Sequence, residues 1–286
     1  TADGELLHAS AGEHADLFWG LRGGGGNFGV VTSFEYQLHP VGPAVLAGLV
    51  LHPAGKARDV LRFYRDFIAG APDELTTYAG FLTTPDGAPM VAMATCYAGP
   101  LDEGERLIAP LRVFGSPVAD LIAPTPYVAW QSGMDAITPA GRQNYWKTSG
   151  MRQITDAAIE TIIEGAATCP SPHSLVFLEH YHGAYSRAAL DATAYRHRDI
   201  NHHLILFGHW VDPADTPQNV AWIRAFYDAM QPHVTGGTFT SFMDHDESAG
   251  RLQTSFGPNY ERLMALKAKY DPTNLFRVNQ NIPPKG

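Results

Sequence analysis

Cysteine is nearly absent from this chain of 286 residues: Cys96 and Cys169 are the only two, with no C-x-x-C spacing. That excludes a disulfide scaffold and a cysteine-rich zinc site, and it favours a cytoplasmic location without fixing one. Positive charge is also sparse. There are 20 Lys+Arg against 29 Asp+Glu, a net charge of −9 at pH 7, and no basic cluster. Neither a nucleic-acid partner nor a polybasic membrane contact is expected. Long apolar runs are missing too; residues 45–51 form one of the longest, far short of a bilayer span. No G-x-S-x-G elbow, P-loop, H-E-x-x-H or H-x-x-x-H occurs. The first residue is Thr1, and no secretory leader is visible. What remains is 45% hydrophobic and 17% charged, ample for a packed core.

Periodicity supplies the elements. Ser10-Ala11-Gly12-Glu13 has capping-box spacing and predicts a helix from there to Arg22. Residues 31–38 alternate, with Thr32, Phe34, Tyr36 and Leu38 on one face, and predict a half-buried strand. Val60, Leu61, Tyr64, Phe67 and Ile68 recur at helical spacing. Strand runs at 75–83 and 90–97, joined through Pro85-Asp86-Gly87, predict a hairpin, and a helix follows over 101–114. A similar order returns as a helix over 156–168, strands at 175–181 and 203–211, and a helix over 217–230. The fold class is therefore α+β, with two helix–strand–strand–helix units sharing one large antiparallel sheet flanked by helices. A last helix is expected over 259–270, stopped by Asp271-Pro272 and followed by a packed tail.

Two features suggest chemistry. Residues 22–29 read Arg-Gly-Gly-Gly-Gly-Asn-Phe-Gly, formally a G-x-G-x-x-G. The dinucleotide fingerprint requires a strand before it and a helix after, and the expected order here is the reverse. Four consecutive glycines still imply a close approach of backbone to something. Of the 13 histidines, nine lie between His173 and His245, several beside the two later strands. With no metal-ligand spacing among them, they read as the polar lining of a sheet face. Tyr145 and Tyr181 sit in stretches where aromatic and polar residues alternate, suited to a pocket wall.

Three stretches together resemble one family. Residues 16–32, Asp-Leu-Phe-Trp-Gly-Leu-Arg-Gly-Gly-Gly-Gly-Asn-Phe-Gly-Val-Val-Thr, look like the late part of the flavin module of FAD-linked oxidases of the vanillyl-alcohol-oxidase superfamily. Residues 257–263 and 270–284 look like the C-terminal element of its berberine bridge enzyme-like members, and Gln143–Lys147 and Tyr181–Ser186 match in style. The resemblance implies an FAD-dependent oxidoreductase, here a C-terminal portion whose early flavin module is absent. It implies a late FAD-binding segment over 1–43, a substrate domain over 44–235 and a return to the flavin module over 236–286. It places Gly29, Val31, Asn279 and Gln280 along the FAD. It also implies a small organic substrate giving a hydride to flavin, and O₂ as electron acceptor. The pattern expected as Gly-Gly-x-Tyr-x-Asn reads Gly236-Gly237-Thr238-Phe239-Thr240-Ser241, and residues 254–256 read Thr-Ser-Phe where some members carry a catalytic tyrosine. The proton acceptor is therefore expected on the middle sheet, at His182 or His203, with Tyr145 and Tyr181 binding substrate. The competing reading is a non-catalytic small-molecule-binding remnant unable to hold FAD alone.

Overall fold

A computed structural model describes every residue except His245, Asn279 and Gly286. The chain divides into two compact units: Thr1–Leu38 with Tyr185–Ile200 and Gly236–Gly286, and His39–Ala184 with Asn201–Thr235. Residues 185–200 thus leave the middle of the sequence to join the first unit.

The second unit is built on one antiparallel sheet. Its strands are β1 (Ala44–Pro53), β2 (Leu75–Thr83), β3 (Pro89–Tyr97), β4 (Ala119–Asp120), β5 (Ala123–Pro126), β6 (Gln143–Met151), β7 (Leu175–His180) and β8 (His202–Trp210). They run in the order β4-β1-β3-β2-β7-β8-β6, with β5 also paired to β1. The expected hairpin forms between β2 and β3, and its tip closes through Gly87 at φ 88°. Four strands come in addition to those the periodicity indicated: β1 leads the first half and β6 the second, and the short β4 and β5 follow the helix of the first half.

One sheet face is packed by helices. Ala57–Ile68 buries Val60, Leu61, Tyr64 and Ile68 at the i, i+4, i+8 spacing of a single stripe. Asp156–Ala167 starts where Thr155 Oγ1 accepts from Ala158 N at 3.1 Å, and it buries Ala158, Ile159 and Ile162. Thr216–Met230 buries Trp222, Ile223, Phe226 and Met230. These side chains join Leu178, Leu204, Leu206 and Trp210 from the sheet in one core.

The first unit has a smaller core around Leu17, Trp19, Phe28, Leu252, Phe256, Leu263 and Ile282. Here two sequence expectations fail. The first helix spans only Ala15–Leu21. Ser10 Oγ does accept from Glu13 N at 3.1 Å, but His14 turns left-handed at φ 45° and breaks the run before the helix begins. Residues 31–38 form no strand, and Phe34, Tyr36 and Leu38 are all more than 60% exposed. Alternation marks a face suited to burial, but a strand needs a hydrogen-bonded neighbour, and none of the described residues pairs with this segment. The last helix, Tyr260–Tyr270, is as expected, but the tail packs only in part: Ile282 is fully buried, whereas Leu275 and Val278 are exposed.

Two glycines of the run, Gly23 and Gly24, pack tightly within this unit, while a Cβ on Gly26 would meet nothing within 4 Å. A Cβ on Gly23, which sits at φ 128°, would lie 2.2 Å from the Tyr195 backbone nitrogen. One on Gly24 would lie 2.6 Å from the Gly20 carbonyl. The close approach that the glycines signal is thus to neighbouring backbone.

Candidate functional site

Strand register decides which side chains share a face. Glu179 of β7 lies opposite His203 of β8, Phe177 opposite Ile205, and Tyr78 of β2 opposite Glu179. Trp146 of β6 lies opposite Phe207. These residues therefore project from the face away from the packed helices. At the end of β7, Tyr181 follows Glu179 on this face. Its phenol donates to Glu179 Oε2 at 2.5 Å. His203 Nδ1 lies 3.3 Å from the same carboxylate oxygen and 3.3 Å from the Tyr181 hydroxyl. The Tyr181 and His203 rings stack at 5.6 Å. His203 is fully buried, and the Glu179 side chain is 13% exposed.

This is a connected proton-holding group. An imidazole whose Nδ1 faces a carboxylate is held in one tautomer, and the carboxylate stabilises the cation formed when the ring takes up a proton. Close by, burial and then the Glu179 charge push the Tyr78 phenol up to about 12, so it stays protonated.

The other sequence candidates lie elsewhere. Tyr145 points into the helix-packed core, where Arg224 Nε donates to its hydroxyl at 3.1 Å. It does not share a face with Tyr181. His182 is also on the helix side: its Nε2 donates to the Leu75 carbonyl at 2.8 Å, and its ring stacks on His180 at 4.2 Å. Together with His180, His202, Arg65 and Arg152 it lines a cleft of about 630 Å³, to whose lining Tyr181 also contributes. His182 and His203 are therefore not brought together. Glu179, which the sequence reading passed over, is the residue that joins Tyr181 to His203; its signal was the i, i+2 run Phe177, Glu179, Tyr181.

Burial holds His180 and His202 neutral, each lowered to about 4, with His182 and His202 adding to the effect on His180. Each keeps a buried Nδ1 with no hydrogen-bond partner among the described residues. In the unfolded chain these imidazoles take up protons near pH 6.5, which the folded state refuses until about pH 4. Stability is therefore expected to fall as pH drops from about 6.5 to 4 and to level off below. Urea midpoints at pH 7 and pH 5 check this. The His180→Gln/His202→Gln variant should lose most of the difference; an equal drop in parent and variant contradicts the assignment.

In the first unit, Gln280 donates from Nε2 to the Met243 carbonyl at 3.0 Å, and Gly29 lies in irregular chain three residues after the glycine run. Val31 is 42% exposed. Asn279 lies outside the described residues. A cavity of about 250 Å³ is lined by Gly23, Gly25, Tyr195, Arg196, Thr238 and Ser241 among others. Arg196 Nε is buried without a hydrogen-bond partner among the described residues. Among the described residues no His/Cys/Asp/Glu group could hold a metal ion, and no helix is long and apolar enough to cross a membrane.

Comparison with known proteins agrees with this organisation. Residues 238–283 match the family described as "Berberine and berberine like". The chain is 30% identical over 289 residues to the FAD-linked oxidoreductase YgaK of Bacillus subtilis, covering 98% of this chain and 62% of that protein. It is 30% identical over 298 residues to (R)-6-hydroxynicotine oxidase of Paenarthrobacter nicotinovorans, covering 100% of this chain and 64% of that protein. The crystal structure of 6-hydroxy-D-nicotine oxidase from Arthrobacter nicotinovorans superposes with a TM-score of 0.86 at 27% identity, covering 100% of this chain and 65% of the other. Chitooligosaccharide oxidase shares the fold, with a TM-score of 0.82 at 24% identity over 99% of this chain and 64% of the other. The chain thus spans a little under two thirds of the length of these relatives.

Proposed function

We propose, from the premise that this chain has the sequence and fold of the berberine bridge enzyme-like FAD-linked oxidoreductases, that it acts in FAD-dependent oxidation of a small organic substrate. The first unit is read as the cofactor-holding one, with Gly29, Val31, Asn279 and Gln280 along the FAD. The residues fit such a group: a cavity walled by the hydroxyl-bearing Thr238, Thr240, Ser241 and Ser255, beside Gly25 of the glycine run. Bound FAD supplies the hydride-accepting chemistry, and O₂ is proposed as the final electron acceptor.

The sheet of the second unit is read as the substrate-holding one. The observation that carries this is the Glu179–Tyr181–His203 group on the face opposite the packed helices. Aromatic Tyr78, Trp146, Phe177 and Phe207 on that face would hold a flat or apolar substrate body. His203, backed by Glu179, would take the proton released when the substrate carbon is oxidised. Tyr181 would hold the carboxylate in place. Tyr145 and His182 stay outside this reading because they point to the opposite face.

The test is anaerobic mixing of the FAD-loaded, full-length protein with panels of amines, alcohols and oligosaccharides, followed by flavin bleaching in a single turnover. At least one panel should bleach the flavin, and readmitted air should restore its colour with release of hydrogen peroxide. Tight binding without bleaching by any panel would favour the non-catalytic reading.

A further inference from the structure

Asn27 lies inside the glycine run and is 3% exposed. Every polar atom of its side chain is engaged. Nδ2 donates to the Gly24 carbonyl at 2.9 Å and to the Gln280 carbonyl at 3.1 Å, and Oδ1 accepts from Ile282 N at 2.9 Å. One side chain thus ties the glycine turn to the tail. Its own carbonyl is held in turn. Lys267 Nζ, fully buried, donates to Asn27 O at 2.8 Å, to Phe276 O at 2.6 Å and to Asp271 Oδ2 at 2.6 Å. All three ammonium protons are used. Asp271, also fully buried, accepts from Leu275 N at 2.7 Å and Phe276 N at 2.8 Å. Burial alone would raise the Asp271 carboxyl, but the Lys267 ammonium and these two amides hold it below its ordinary value.

The two segments joined this way are those that carry Gly29 on one side and Gln280 on the other. They are distant in sequence, and no strand ladder fixes their spacing among the described residues. We infer that Asn27, anchored by Lys267, is a positioning residue that sets the spacing of the two cofactor-facing segments and so tunes how FAD is held. This rests on the reading of those segments as the cofactor side. A purely structural role would lower stability alone. A positioning role also changes the bound flavin in protein that remains folded, because preorganised contacts determine ligand affinity.

Asn27→Asp keeps the size and the acceptor for Ile282 N but turns both donors into acceptors facing carbonyls. Asn27→Ser, milder, serves if the first variant fails to fold. Each is made in the full-length protein and compared with parent for the dissociation constant of FAD, the visible spectrum at saturating FAD, and the thermal midpoint of the FAD-free form. The expected result is about tenfold or more weaker FAD binding, with a visible spectrum moved toward that of free flavin at a temperature where the variant is folded. Parental affinity and spectrum in a folded variant overturn the role of Asn27 even if the midpoint falls. Failure of the parent itself to take up FAD overturns the cofactor reading beneath it.

Discussion

Replacing Lys267 by Met is expected to lower stability by about 3–5 kcal/mol, the cost of leaving a buried partner charge uncompensated. Met matches the length of the lysine stem but offers no donor. Asp271 would then face the core with only two backbone amides, and the Asn27 and Phe276 carbonyls would lose their shared donor. The loss should appear in urea unfolding as a lower midpoint. The double variant Lys267→Met/Asp271→Leu should recover part of it, because removing both charges also removes the desolvation cost. With its carboxyl held low, Asp271 contributes stability that is present above about pH 4, the unfolded value, and is lost as pH falls through its folded value. In Lys267→Met that acid-side dependence should shrink. A single variant within about 0.5 kcal/mol of parent would mean that the pair contributes nothing of note.

Glu179→Gln is expected to slow flavin reduction by substrate by about a hundredfold or more, with FAD still bound. Glutamine can still accept from the Tyr181 phenol, so geometry is largely kept. It cannot stabilise a protonated His203, whose Nδ1 lies 3.3 Å away. The effect should therefore fall on the single-turnover rate rather than on substrate affinity. A rise in the apparent substrate dissociation constant at an unchanged limiting rate would instead make Glu179 a binding group.

Much of the second unit was legible because its signals are local. The hairpin from Leu75 to Tyr97 carries its turn residues, and the helices over 57–68, 156–167 and 216–230 each show one apolar stripe. β1 was hidden because both of its faces are largely buried, so it reads as a continuous apolar run without alternation. Residues 31–38 misled for the opposite reason: their alternation is clear, but strand formation depends on a neighbour that a local pattern cannot reveal.

The candidate site was half legible. Histidines beside β7 and β8 pointed to the strands that carry the Glu179–Tyr181–His203 group. Which of them face the same way depends on register, and a shift of one residue flips every side chain. The pairing of Glu179 with His203, and of His180 with His202, puts Tyr181 with His203 and sends His182 to the helix side. Nothing in the local sequence states that pairing. The Asn27–Lys267–Asp271 group was invisible for a similar reason, because its members meet across 240 positions of sequence.

The central claim is that proton transfer belongs to the sheet face of Glu179 and His203, opposite the packed helices. Single-turnover flavin reduction in Glu179→Gln and His182→Gln, measured side by side in the FAD-loaded full-length protein, tests it most directly. The account requires the first to be slowed about a hundredfold or more and the second to reduce at the parental rate. A slow His182→Gln beside a parental Glu179→Gln would place the chemistry on the opposite face and contradict it.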